Sequence, residues 1–150
     1  MLNKQLLILN GPNLGVLGRR QPDVYGDRTL SELPNLLEQV MGERAAQISL
    51  THDQSNSEGA LVDRLEQAVD EGIHGIAFNA GAYTHTSLAL ADCLAWIDIP
   101  CIEVHLSNVH ARHNPLRHQS LIAPHCKGVI CGFGIWSYVF AVQALYWLME

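Results

Sequence analysis

The chain has 150 residues, 48% of them hydrophobic and 16% charged, which suits one globular domain over 1–150 and excludes a disordered chain. Nine Lys and Arg against fifteen Asp and Glu give a net charge of −6, which argues against a general nucleic-acid surface. No stretch has the length and apolarity of a membrane span, and the apolar part of the start is too short for a secretory leader, so a cytoplasmic location is expected.

The run Leu6-Leu7-Ile8-Leu9 reads as a buried first strand. The loop that follows, residues 10–26, holds four glycines, two prolines, the adjacent Arg19 and Arg20, and Tyr25. Connections in compact domains need only a few residues, so a loop this long points to function. Residues 30–46 carry apolar side chains at 30, 33, 36, 37, 40 and 41, the spacing of a helix, with Ser31 as cap and Pro34 in the first turn. Residues 47–51 read as a second strand and 53–57 as a polar turn ahead of a helix over 58–71, closed by Gly72.

Residues 74–78 are expected to form a third strand and 84–97 a third helix, capped by Thr84, with His85 in its first turn. A fourth strand is expected over 100–104, a long polar loop over 105–124, a fifth strand over 128–131 and a final amphipathic helix over 135–149. Five apolar strands alternating with four helices imply an α/β protein: a flavodoxin-like doubly wound five-stranded parallel sheet with helices on both faces. Its strand ends would gather the loops 10–26, 53–57, 79–85 and 105–120, which hold nearly every polar residue of chemical interest.

Asn13, Arg20 and Tyr25 form the first constellation. Ionising a tyrosine at neutral pH costs roughly 4 kcal/mol, and a cation beside it offsets about that much at an effective dielectric near 20. The pair is therefore either a phenolate base or an exposed tyrosine beside solvated arginines. Gly18 and Gly26 bracket the segment and could serve as hinges. Glu103 and His105, two apart on a strand, share a face, so the carboxylate either orients a general acid or makes a surface ion pair. Leu106-Ser107-Asn108 offers backbone amides and a hydroxyl for a carboxylate. His85 either serves an anion site at a helix start or caps and packs.

Eight histidines raise the question of a metal, yet no zinc-type spacing occurs, and GxGxxG and GxxxxGK are absent. The four cysteines (Cys93, Cys101, Cys126, Cys131) lack CxxC spacing and read as reduced and buried. Trp96, Trp136 and Trp147 read as core or interface residues.

Six signatures in order resemble the type II 3-dehydroquinate dehydratases. They are Asn10-Gly-Pro-Asn-Leu14, Gly18-Arg-Arg-Gln-Pro-Asp-Val-Tyr-Gly26, Gln54-Ser-Asn-Ser-Glu-Gly59, Asn79-Ala-Gly-Ala-Tyr-Thr-His-Thr-Ser87, Glu103-Val-His-Leu-Ser-Asn-Val-His-Ala-Arg112 and Gly132-Phe-Gly134. The resemblance implies trans dehydration of 3-dehydroquinate to 3-dehydroshikimate through an enolate, in the shikimate pathway or in quinate catabolism, with neither metal nor organic cofactor. It implies Tyr25 as base, Arg20 as the group that lowers its pKa, Asn13 at the enolate, and His105 as acid oriented by Glu103. Asn79, His85 and Arg112 are then expected to hold substrate hydroxyls, and Leu106 and Ser107 the carboxylate. Asp92 would reach a neighbouring subunit's site in a homododecamer, a tetramer of trimers. Gly15 and Ser57 depart from the Asn and His of many members. Residues His113-Asn-Pro-Leu116 replace a segment that usually carries a glutamate and are one residue longer before Arg117. The added residue either turns Arg117 outward or is absorbed by a bulge at Pro115 that keeps Arg117 in the site, and the His118-Gln-Ser120 that follows favours the second.

Overall fold

Alternation along the first strand sets the layering of the molecule. In β1 (Lys4–Asn10), Leu6 and Ile8 face one side of the sheet and Leu7 and Leu9 the other, and all four are buried. A computed structural model of the chain describes residues 3–16 and 29–150. Among these, β1, β2 (Ile48–Gln54), β3 (Gly75–Asn79), β4 (Cys101–His105) and β5 (Gly128–Cys131) form one parallel sheet in the order β2-β1-β3-β4-β5. The flavodoxin-like architecture is as expected.

Helices α1 (Leu33–Met41) and α4 (Trp136–Leu148) cover the side of Leu6 and Ile8. Helices α2 (Glu58–Asp70) and α3 (Leu88–Trp96) cover the side of Leu7 and Leu9. Each fully buried aliphatic side chain contributes roughly 1.5–3 kcal/mol, so both layers are needed to hold the sheet.

Several boundaries differ from the sequence reading. The expected helix over 30–46 is three pieces: a 3-10 turn over Leu30–Glu32, then α1, then 3-10 turns over Gly42–Gln47. Gly42, at φ 57°, takes a left-handed conformation that side chains disfavour, and α1 stops there. Pro34 sits in the first turn as expected, but Ser31 caps nothing and bonds the Thr29 hydroxyl instead. Strand β2 runs through Asp53 and Gln54, which the sequence reading placed in a turn. It is an edge strand, half solvated, so polar residues fit it, and Asp53 pairs with Arg64 of α2.

Residues Gly81–His85 wind as a separate 3-10 turn, and α3 is capped by Ser87, whose hydroxyl accepts from Leu90 N at 3.0 Å. Thr84 does not cap α3: it lies within the 3-10 turn, and its buried Oγ1 finds no partner among the described residues. Strand β4 begins at Cys101 and includes His105. Helix α4 is apolar on every side instead of amphipathic: Tyr138, Val142 and Leu145 are buried, while Phe140, Trp147 and Leu148 are exposed. Trp96 is 57% exposed, so it belongs to no core in this chain. Cys93 and Cys101 are buried thiols, whereas Cys126 and Cys131 are only half-buried. Burial pushes the Cys93 thiol up to about 11.

Candidate active site

The strand order reverses between β1 and β3, and a crevice opens outside their carboxyl ends, where such sheets bind ligands. Gly11 lets these two ends meet: its N–H donates to Asn79 O at 2.7 Å, and a Cβ there would lie 2.4 Å from Ala80 O. Asn13 follows at φ 66°, a left-handed conformation that asparagine tolerates better than most residues, and its backbone N–H donates to Asn56 Oδ1. The pocket is lined by residues 12–14 after β1, by Asn79, Gly81, Ala82 and His85 after β3, and by His105, Leu106, Ser107, Val109, Arg112 and Arg117 after β4.

Two hydrogen-bonded networks underlie it. In one, the buried Tyr138 hydroxyl donates to Asn10 Oδ1 and accepts from Asn79 Nδ2 at 2.9 Å. Burial pushes this phenol well above its ordinary pKa, so it stays a neutral donor. Asn79 Oδ1 accepts from Gly81 N at 3.2 Å, which fixes the amide's orientation. In the other network, His105 Nε2 lies 2.6 Å from Glu103 Oε1, and Ser120 Oγ donates to Glu103 Oε2 at 2.8 Å. Glu103 is 1% exposed and His105 6%, so this pair is not the surface ion pair that the sequence left open.

His85 stacks on His105, with ring centroids 6.4 Å apart and planes 13° from parallel, and its Nδ1 bonds Gln119 O. Partial burial, the largest cause, pushes the His85 imidazole below its ordinary pKa. The bond to Gln119 O opposes that shift, and the charges of His105 and Arg117 add to it. Arg112 Nη2 donates to Ser107 Oγ at 2.7 Å, placing a cation beside a hydroxyl and the chain turn at Leu106. The arrangement offers one buried acid–base pair, cationic donors for an anion, and amides for hydroxyl groups. No group of three or more His, Cys, Asp or Glu among the described residues could hold a metal ion.

Residues 4–146 match the family model for dehydroquinase class II. The chain belongs to that family. It is 50% identical to the 3-dehydroquinate dehydratase of Rhizobium etli over 144 residues, which cover 96% of this chain and 97% of that one. It is 52% identical to the 3-dehydroquinate dehydratase of Ralstonia pickettii over 140 residues, 93% of this chain and 88% of that one. Its fold is similar to the crystal structure of the type II dehydroquinase from Butyrivibrio crossotus, with a TM-score of 0.86 and 39% identity over 96% of this chain and 98% of that one.

Of the residues singled out in the sequence, Asn13, Asn79, His85, His105, Leu106, Ser107, Arg112 and Arg117 line this one pocket, and Glu103 lies beneath it. The segment at Pro115 forms a 3-10 turn over Pro115–His118, and Arg117 lines the pocket. Asp92 is exposed on α3 and does not line it. Arg20 and Tyr25, with Gly18 and Gly26, lie outside the described residues. Sequence reasoning missed Ser120, Tyr138 and Asn10. No local spacing points to them, because Tyr138 lies 59 residues from Asn79 and Ser120 lies 17 from Glu103.

Proposed function

We propose that this chain catalyses the trans elimination of water from 3-dehydroquinate, giving 3-dehydroshikimate through an enolate, as one catalytic domain. Family membership is the observation that carries this reading, and the polar pocket at the strand ends supports it. Removing a proton beside a ketone needs a base and a stabilised enolate, and expelling the β-hydroxyl then needs an acid. Tyr25 is the base, and Arg20 supplies the cation that makes its phenolate accessible near neutral pH. Asn13 donates to the enolate oxygen, directly or through a held water.

His105 is the acid, and the geometry supports this role. Its Nε2 faces a carboxylate and donates to it, so its other nitrogen can give a proton to the leaving hydroxyl only from the imidazolium. The buried Glu103 carboxylate is the counter-charge of that imidazolium. Asn79, His85 and Arg112 hold substrate hydroxyls. Leu106 and Ser107 hold the carboxylate, which the turn at 106–107 suits, and Arg117 is a further cation at the site. The chemistry needs no metal or organic cofactor.

The working form is a homododecamer, a tetramer of trimers, in which Asp92 of one subunit approaches the site of the next. The exposed Phe133 and Phe140, whose rings meet edge to face, support burial against other copies, since contiguous apolar surface on a monomer marks interfaces. A cytoplasmic location fits a chain whose described residues contain no helix long and apolar enough to cross a membrane.

The test is the rise of enone absorbance on adding 3-dehydroquinate, in the presence and absence of a chelator. Tyr25→Phe is expected to lower kcat by about a hundred- to ten-thousand-fold with its fold intact. Turnover near that of the parent would rule Tyr25 out as the base. Sedimentation of the active form as a stable monomer would overturn the assembly.

A further inference from the structure

We propose that Ser120 is a positioning residue for the acid, acting through Glu103; this rests on the reading of His105 as the acid. Glu103 sits on β4, between β3 and β5, in the interior of the sheet. A carboxylate buried there needs a donor for each oxygen. Oε1 has the His105 ring, and Oε2 has the Ser120 hydroxyl at 2.8 Å.

The direction of the serine bond is fixed by a third group. Ala123 N–H donates to Ser120 Oγ at 2.9 Å and occupies a lone pair of that oxygen. A hydroxyl has one hydrogen, which is then left to point at the carboxylate. Ser120 therefore presents a donor to Glu103, since an ionised carboxylate can only accept. With both oxygens engaged, the carboxylate plane is set, and with it the tilt of the His105 ring.

Ser120 also belongs to a short segment that carries two residues of the site. Arg117 lines the pocket and Gln119 O holds the His85 ring, so one short segment orients both stacked imidazoles. Without the Ser120 hydroxyl, Oε2 is a buried acceptor with no donor among the described residues. The carboxylate can then rotate off the ring, or take the imidazole's proton and hold it where the substrate cannot receive it. Either event slows proton delivery and leaves substrate binding alone.

The experiment compares Ser120→Ala, Ser120→Cys and Ser120→Thr for kcat, KM and thermal unfolding, in the parent and in a Glu103→Gln background. Ser120→Ala is expected to lower kcat about ten-fold, the scale of one lost charge-assisted hydrogen bond, with KM within about two-fold. Ser120→Cys keeps the size of the side chain but is a weak donor, so it is expected to fold normally and lose a similar factor. Ser120→Thr restores the hydroxyl and should recover most of the rate. In the Glu103→Gln background the Ser120→Ala factor should shrink to under about two-fold, because coupled residues are not additive.

An unchanged kcat in Ser120→Cys, a loss that falls on KM, or a full-sized factor retained in Glu103→Gln would each overturn the proposal. His105→Ala is the separate control. If it turns over normally, the assignment of the acid fails as well; if it is inactive while Ser120→Cys is unaffected, only the role of Ser120 fails.

Discussion

The two polar networks beneath the pocket are built alike and differ in charge. Asn10, Tyr138 and Asn79 join β1, α4 and β3 through neutral groups, each buried and each bonded to the next. Glu103, His105 and Ser120 join β4 to the loop after it around a carboxylate. A neutral amide–phenol chain has no proton to give near neutral pH, since burial holds the phenol above its ordinary range. It can only fix geometry. A carboxylate–imidazole pair instead places acid–base groups at the pocket wall, and that makes it fit for chemistry.

The contrast is broken most directly at His105. His105→Ala is expected to lower kcat by about a hundred- to ten-thousand-fold, the usual scale of lost acid catalysis, and also to cost about 1–3 kcal/mol of stability by leaving the buried Glu103 Oε1 without its donor. Steady-state kinetics beside a melting curve checks it, and a stability loss without a rate loss would reverse the two roles.

Tyr138→Phe probes the other network. It leaves Asn10 Oδ1 without its donor and frees one hydrogen of Asn79, both in buried surroundings. The expected cost is about 1–3 kcal/mol of stability. Denaturant unfolding measures it, and kcat should stay within a few-fold of the parent. A rate loss as large as that of His105→Ala would show that the neutral network also serves the chemistry.

His85 lies on the charged side, and its shift gives a dependence on pH. Its folded pKa is depressed, chiefly by burial, so the unfolded chain binds the proton first as pH falls. The folded state therefore loses stability below about pH 6.5, the ordinary histidine value. Melting temperature is expected to fall more steeply with acid in the parent than in His85→Asn, and parallel curves would contradict the shift. The smallest effect is expected at Thr84, a buried hydroxyl that belongs to neither network. Thr84→Val should be neutral or stabilising by about 1 kcal/mol, because the removed hydroxyl has no bond to lose among the described residues. A clear destabilisation in denaturant melts would reveal a partner for Thr84.

Much of the site could be read before any coordinates, because its chemistry lies in short segments after strands. Glu103 and His105 share a face by strand alternation alone, and Arg112 and Ser107 fall in the same loop. Helix ends were read less well, because residue type alone does not say which serine caps. Ser31 and Ser87 are both serines before apolar runs, and only Ser87 accepts from a backbone N–H of the α-helix that follows it. Asp53 and Gln54 read as a turn because they are polar, yet an edge strand accepts polar residues on its open side.

By itself, the sequence determined the alternation of strands and helices, the parallel sheet, and the family to which the chain belongs. Those follow from periodicity and from contiguous motifs, which are local properties of the chain. Tertiary structure alone decided that Glu103 is buried, that Ser120 and Tyr138 complete the two networks, and that Arg117 lies at the pocket. Each depends on which distant segment packs over a strand end, and a buried polar group takes whatever partner that packing supplies.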